Sequence, residues 1–135
     1  MIKALFATPA LLLAFLLPQT PSASDPSAPL VIPASAAAVP NPLKSSSENQ
    51  AFARKMYGYD CAMCHGVKGD GKGEMVESMK LTMKDFSNAA TLSGRTDGEL
   101  FWVIKNGFGQ MPGETGRQTD AQVWAMVLYV RGFSK

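Results

Sequence analysis

Cys61-Ala62-Met63-Cys64-His65 is the stretch that decides how this chain folds, because it holds both cysteines and the single histidine of the 135 residues. The composition around it excludes several classes of protein. Lys and Arg total 13 against 11 Asp and Glu, a formal charge of +2, which is too small an excess for nucleic-acid binding. Two cysteines cannot build a disulfide-rich scaffold, and one histidine cannot build a multi-histidine metal site.

The spacing of the stretch matches C-x-x-C-H, the attachment signature of c-type haem. Two cysteines on one turn of chain form thioethers with the two vinyl groups of one haem, and the next residue places its imidazole beneath the iron. We therefore predict a single haem c, attached covalently through Cys61 and Cys64, with His65 as an iron ligand. Haem would also supply apolar bulk to a short domain, which buries little core by itself.

Other uses of the same residues are less well supported. A structural zinc site needs four ligands, and no further Cys or His is present to complete one. A thioredoxin-like dithiol belongs in a βαβ setting, and no strand pattern lies near the motif. A plain disulfide between Cys61 and Cys64 remains open at this point.

The sixth iron ligand is expected to be a methionine, as in electron-transfer haem proteins with His and Met ligands. Met111 is the best choice, because Gly107 and Gly109 let its loop approach a ring closely and Pro112 stiffens the chain after it. Met63 lies inside the attachment loop and cannot reach the far face. Met75, Met79 and Met83 are predicted to lie in loops and remain possible ligands. Met56 and Met126 are predicted to lie in helices as core residues.

The domain is predicted to be all-α, with three main helices at about 48–58, 97–106 and 120–132 and loops wrapped around the haem. Apolar residues recur at helical spacing in each. Capping boxes are predicted to start the helices, namely Ser47 with Gln50, Thr96 with Glu99, and Thr119 with Gln122. Residues 66–73 hold four glycines and are predicted to be loop, and 74–81 to form a short helix.

The N-terminal residues indicate export. Lys3 precedes an apolar run of about 14 residues, which fits a signal peptide over 1–24 and falls short of the roughly 20 residues of a membrane span. An uncleaved N-terminal anchor is the alternative. Residues 25–47 are rich in Pro, Ala and Ser and predict an extended linker, either a tether or a disordered leader. The globular domain is predicted to be 48–135.

The globular part resembles class I (mono-haem) c-type cytochromes of the small bacterial periplasmic type. The matching positions are Tyr57, the 61–66 motif, 69–71, Asp85 with Phe86, 94–100, the 106–112 loop and 124–131. The resemblance implies that the first and last helices cross near the haem edge, through Ala53, Tyr57, Leu128 and Tyr129. It also implies apolar walls from Phe86, Trp102 and Phe108, and propionate contacts from Arg95, Lys84 or Trp102.

One departure from the family concerns the axial histidine. Its members usually carry a proline after the attachment motif, whose carbonyl accepts a hydrogen bond from that histidine, and none lies between His65 and Met111. Because a ligating histidine is normally oriented by such a partner, we expect the carbonyl of Leu81 or Thr82 to replace it.

Together these features predict periplasmic one-electron transfer by a His/Met-ligated haem c, without enzymatic activity. The partners would be redox proteins, an electron donor and an acceptor, with no nucleic acid. One alternative is a cytochrome c subunit of a larger membrane or dehydrogenase complex. Another is a ligand-binding or peroxidase-like haem protein with an open distal site, in which Met111 would not bind iron.

Overall fold

The computed structural model describes residues 29–134, so the predicted signal peptide (1–24) and the first residues of the predicted linker lie outside it. Within this part the chain is helical and its only β-type pairing joins Phe108 to Met111. No helix of this part is long and apolar enough to cross a membrane. The α-helices are α1 (Ala34–Ala37), α2 (Ser47–Met56), α3 (Ala62–His65), α4 (Met75–Ser78), α5 (Ala89–Ser93), α6 (Asp97–Asn106) and α7 (Asp120–Arg131).

The three predicted main helices are present as α2, α6 and α7, and the all-α prediction is confirmed. Thr96 and Glu99 form the predicted capping box of α6, and Thr119 and Gln122 form that of α7. The start predicted for the first helix is wrong by one residue. Ser46, and not Ser47, is the N-cap of α2, and its hydroxyl accepts a hydrogen bond from the Asn49 amide at 3.1 Å.

The core lies where α2 crosses α7. Ala53 of α2 is fully buried, which lets the two helices approach closely. Tyr57 follows α2, and its ring centroid lies 5.4 Å from that of Tyr129 and 5.0 Å from that of Phe133. The predicted crossing residues Ala53, Tyr57 and Tyr129 all belong to this core. Leu128 does not; it borders a groove that residues 37–41 and Leu43 also line.

The segment before α2 differs from the extended linker that its composition predicts. Residues 34–37 form the turn of α1, which contacts α6. The Thr96 hydroxyl donates a hydrogen bond to the Ala37 carbonyl at 2.8 Å, and the Asn41 side-chain amide donates one to the Trp124 carbonyl at 3.2 Å. Residues 29–43, the strap, therefore lie against the helices.

Loops and the two short helices α4 and α5 occupy the chain between α3 and α6. Residues 66–73 form the predicted loop, and the short helix predicted within 74–81 is α4. The amide of Phe86 donates a hydrogen bond to the Gly69 carbonyl, so the end of this region folds back onto the segment that follows the attachment motif.

Candidate haem site

The attachment motif is presented by an unusual stretch of helix. Between α2 and α3, residues Tyr57–Cys61 form a π-helical turn, a feature common at functional sites. The Tyr57 hydroxyl donates a buried hydrogen bond to the Gly66 carbonyl at 2.9 Å, which ties the start of this turn to the residue after His65. Burial raises the pKa of Tyr57 above its usual value, so this hydroxyl keeps the proton that it donates.

A cavity of about 380 Å³ lies beside the motif, and three of the four predicted site residues line it. Cys61 and His65 come from the motif, and Met111 comes from the loop after α6. Cys64 does not line the cavity; its side chain is half-buried one position before His65. The structure thus brings residues that are distant in sequence to one space.

His65 is held by packing. Its imidazole stacks on the ring of Phe86, with the centroids 4.9 Å apart and the planes inclined by 22°. The Nδ1 atom is buried and has no hydrogen-bond partner among residues 29–134, so the carbonyl expected from Leu81 or Thr82 does not accept from it. Burial lowers the pKa of His65, which favours the neutral imidazole that metal binding requires.

Met111 lies in a tight turn held by its main chain. The amide of Phe108 donates to the Met111 carbonyl at 3.0 Å, and the Met111 amide donates to the Phe108 carbonyl at 2.9 Å. Gly107 has a φ of 77°, and a Cβ there would lie 2.5 Å from the Met111 carbonyl oxygen. Glycine is therefore required at this position for both conformation and space.

The other methionines separate into two groups in the structure. Met56 and Met126 contribute to the core and also reach the cavity wall. Of the loop candidates, Met83 lines the cavity, whereas Met75 and Met79 do not. Met83 lies in the loop that ends at Phe86, the residue stacked on His65, so it belongs to the segment that packs against the attachment motif.

Glu114 is a site residue that the sequence analysis missed. It lines the cavity, is only 8% exposed, and within the part of the chain that the structure describes its Oε2 atom has no hydrogen-bond partner. Burial raises its pKa above the usual carboxyl value. Arg117 lies 3.5 Å from Glu114 and 2.9 Å from Asp60, so it links the loop after Met111 to the residue before Cys61. Nothing in the sequence around Glu114 predicts that its side chain is buried at the cavity.

The electrostatics of Cys61 argue against the competing uses of the motif. Burial, with Glu114 and Asp60 nearby, raises the pKa of the Cys61 thiol to about 12, whereas dithiol oxidoreductases lower it. Both thiols are free. Over residues 29–134, no group of three or more His, Cys, Asp and Glu side chains is arranged to hold a metal ion. A zinc site built from these residues would lack ligands.

The cavity fits a haem. Its wall is mostly apolar, and a half-buried imidazole whose Nδ1 atom is buried and unpartnered among the described residues stands beside the cysteine of an attachment motif. Phe86 and Phe108 line it as expected, but Trp102 does not. Arg95 and Lys84, expected near propionates, also reach the wall.

Comparison with known proteins supports this fit. The sequence profile of the family described as cytochrome C oxidase, cbb3-type, subunit III matches residues 49–130. Cytochrome c6 from Leptolyngbya boryana is 32% identical over 81 residues, which cover 59% of this chain and 87% of that protein.

Solved structures with the same fold include two proteins. One is a chain of the Kuenenia stuttgartiensis reducing HAO-like protein complex Kustc0457/Kustc0458, which aligns with a TM-score of 0.61 at 21% identity. The alignment covers 70% of this chain and 47% of that larger one. The KustC0563 c-type cytochrome aligns with a TM-score of 0.54 at 28% identity, over 62% of this chain and 98% of that one. Because the family profile spans more than half of the sequence, this chain belongs to that cytochrome c family and is a class I c-type cytochrome, a haem- and iron-binding electron-transfer protein.

Proposed function

We propose that the protein is a periplasmic one-electron carrier with a single haem c attached through Cys61 and Cys64 and ligated by His65 and Met111. The observation that carries the proposal is the cavity whose wall holds Cys61, His65 and Met111. Bound haem supplies the reversible one-electron chemistry of iron. The remaining work, ligation and the exclusion of water, falls to this chain's own residues.

His65 and Met111 have complementary roles. The neutral imidazole of His65 offers a nitrogen lone pair, and the thioether of Met111 offers a soft sulfur ligand that raises the reduction potential. With both held in place, no position is left for a substrate, so we propose that the protein is not an enzyme. Met111 is favoured over Met83 because Met83 lies in the loop that packs on the His65 side.

The surroundings of the electron carrier follow from the sequence. Residues 1–24 would act as a signal peptide and 25–47 would join it to the domain at 48–135, and this leader would direct the protein to the periplasm. Its electron donor and acceptor would be redox proteins. Such encounters bury less than about 1,200 Å² and are short-lived, which suits rapid exchange of electrons.

The test of ligation is spectroscopic. Protein made in a host with a c-type maturation system should show a thioether–iron charge-transfer band when oxidised and should refuse CO when reduced. Met111→Ala should remove the band and admit CO, whereas Met83→Ala, the matched control, should change neither. If the Met83 variant alone loses the band, Met111 is not the ligand. If wild type binds CO readily, the open-site alternative holds.

The test of attachment is the mass of the denatured protein. Wild type should carry the mass of one haem through denaturation. Cys61→Ala and Cys64→Ala should each leave a single thioether, and the double variant should lose the haem on extraction. A double variant that retains covalent haem would overturn the assignment of both cysteines.

A second role is favoured by the comparisons themselves. The matching family is described as an oxidase subunit, and one structural neighbour is part of a protein complex. We therefore keep the alternative of a cytochrome c subunit of a larger membrane or dehydrogenase complex. Purification from the native membrane and soluble fractions separates the two roles, because a subunit co-purifies with its complex and a free carrier does not.

A further inference from the structure

The strap, residues 29–43, carries an inference beyond electron transfer as such. Its composition suggests a tether, yet Leu30 and Ile32 line the same cavity as Cys61, His65 and Met111. Between them, Val31 is 73% exposed. Side chains of an extended chain point alternately to opposite faces, so Leu30 and Ile32 turn toward the cavity and Val31 toward solvent.

The strap is fixed beyond the cavity as well. A Cβ on Gly98, at the start of α6, would lie 2.1 Å from the Ala36 carbonyl oxygen, so the backbones of α1 and α6 touch where no side chain fits. The Thr96 hydroxyl donates to the Ala37 carbonyl close by. Asn41 is bonded to Trp124 of α7, and Leu43 packs against the core. The strap is therefore fixed to α6, to α7 and to the core, at points along its length.

The strap loses little conformational entropy when it docks. Pro29, Pro33, Pro40 and Pro42 restrict the backbone before folding, so less conformational entropy is lost when the strap docks. No charged residue lies between Asp25 and Lys44. A segment that served only to hold a domain at a distance has no need of three consecutive aliphatic residues, 30–32, or of a glycine contact with the domain.

We propose that the strap is the outer wall of the haem site, in which Leu30 and Ile32 cover the cavity beside α6 and keep water from the haem. Arg95, just before α6, and Leu100 and Val103 of α6 line the same cavity. Burial of the haem and the hydrophobicity around it control its potential, because water stabilises the oxidised iron with its extra positive charge. Leu30 and Ile32 are thus positioning residues that hold the potential high.

This inference rests on the proposed haem site, and its test uses neighbouring residues of opposite orientation. Ile32→Ser opens the wall, and Val31→Ser makes the same change on the solvent side. Redox titration of the full chain with haem should give Ile32→Ser a lower potential, by about a tenfold change in the equilibrium constant for reduction, or about 59 mV. Val31→Ser should match wild type. Equal potentials in the two variants would overturn the proposal.

Gly98→Ala provides an independent disruption, because Gly98 does not line the cavity and its new methyl group would push α1 away. Hydrogen exchange of residues 34–39 should be slow in wild type and fast in this variant, and the potential should fall in the same direction. Slow exchange in wild type with an unchanged potential in the variant would show a docked strap with no influence on the haem, which overturns the proposal.

The two proposals fail in different ways. If the wild-type spectrum lacks the Met–iron band, the ligation is wrong, yet the exchange of residues 34–39 and the Ile32 and Val31 comparison can still be measured on the haem that is present. If the band is present and Ile32→Ser leaves the potential unchanged, the ligation stands and the strap proposal falls.

Discussion

The two sides of the cavity hold their candidate ligands by different means. On one side Met111 is fixed by main-chain hydrogen bonds with Phe108 and by the left-handed glycine at 107. On the other side the His65 ring is fixed by burial and by stacking on Phe86, and its Nδ1 atom has no partner. The Met111 side therefore depends on backbone conformation, and the His65 side depends on side-chain packing.

The strongest way to break this contrast is Gly107→Ala. An L-residue at a φ of 77° is strained, and the new Cβ would meet the Met111 carbonyl oxygen. We expect a loss of about 3 kcal/mol of stability, together with a weakened Met–iron band. Gly94→Ala is the control, because its φ is −88° and nothing lies within 4 Å of the added Cβ. Equal urea midpoints for the two variants would contradict a backbone-determined Met111 turn.

Phe86→Ala tests the other side. Removing a half-buried ring should lower the free energy of unfolding by about 2 kcal/mol and free the imidazole to rotate. The EPR spectrum of the oxidised protein reports the orientation of the imidazole plane, and it should broaden. Phe86→Leu restores apolar cover without the stack, so it should recover most of the stability and little of the EPR change. An unaltered EPR spectrum in both variants would show that packing does not orient His65.

Glu114→Gln tests the Met111 side of the cavity through the pH dependence of stability. Because burial raises the pKa of Glu114, its ionised form destabilises the folded protein above the ordinary carboxyl pKa, and this penalty disappears as the pH falls. The variant should therefore be more stable than wild type at a pH of about 7. Thermal melting should show the difference closing near pH of about 4. A difference that is independent of pH would contradict the assignment.

The smallest effect concerns the two capping boxes, which differ only in charge. The Thr96 amide and Arg95 lower the pKa of Glu99, so the stability that Glu99 adds is present above the ordinary carboxyl pKa and is lost as the pH falls through its lowered one. In α7, Gln122 occupies the same position without a titration. The melting temperature of the Glu99→Gln variant should therefore fall less than that of wild type between pH values of about 7 and about 3. An equal fall in melting temperature for the two proteins would contradict this role of Glu99.

The features that depend on a fixed spacing in sequence could be predicted from the sequence. Thr96 with Glu99 and Thr119 with Gln122 were predicted correctly because a capping box joins residues at a fixed spacing. At the start of α2 the same rule met three consecutive serines, 45–47, and spacing alone could not choose the register. In the structure the main-chain amide of Asn49 donates to the Ser46 hydroxyl, which marks Ser46 as the N-cap.

Contacts between distant segments were not predictable in this way. Periodicity identifies an apolar face of a helix, but two inward residues, Leu30 and Ile32, are too few to establish an alternating strand pattern. The bonds that dock the strap join residues 59 and 83 positions apart. The candidate ligands were identified from chemistry and spacing, whereas the absence of a partner for His65 Nδ1 and the burial of Glu114 depend on tertiary packing.

The π-helical turn before the motif gives the chain a tolerance in length that the motif itself lacks. A π-turn contains one residue more than an α-turn, and each residue of an α-helix rotates the following chain by about 100°. Because the wider turn takes up its extra residue locally, the chain after it keeps nearly the direction that an α-turn one residue shorter would give. Deleting Gly58, where an added Cβ would meet nothing within 4 Å, should therefore let an α-turn replace the π-turn while Cys61 still faces the cavity. A deletion within the 61–65 motif has no such turn to absorb it, so the spacing can vary before the attachment motif but not inside it.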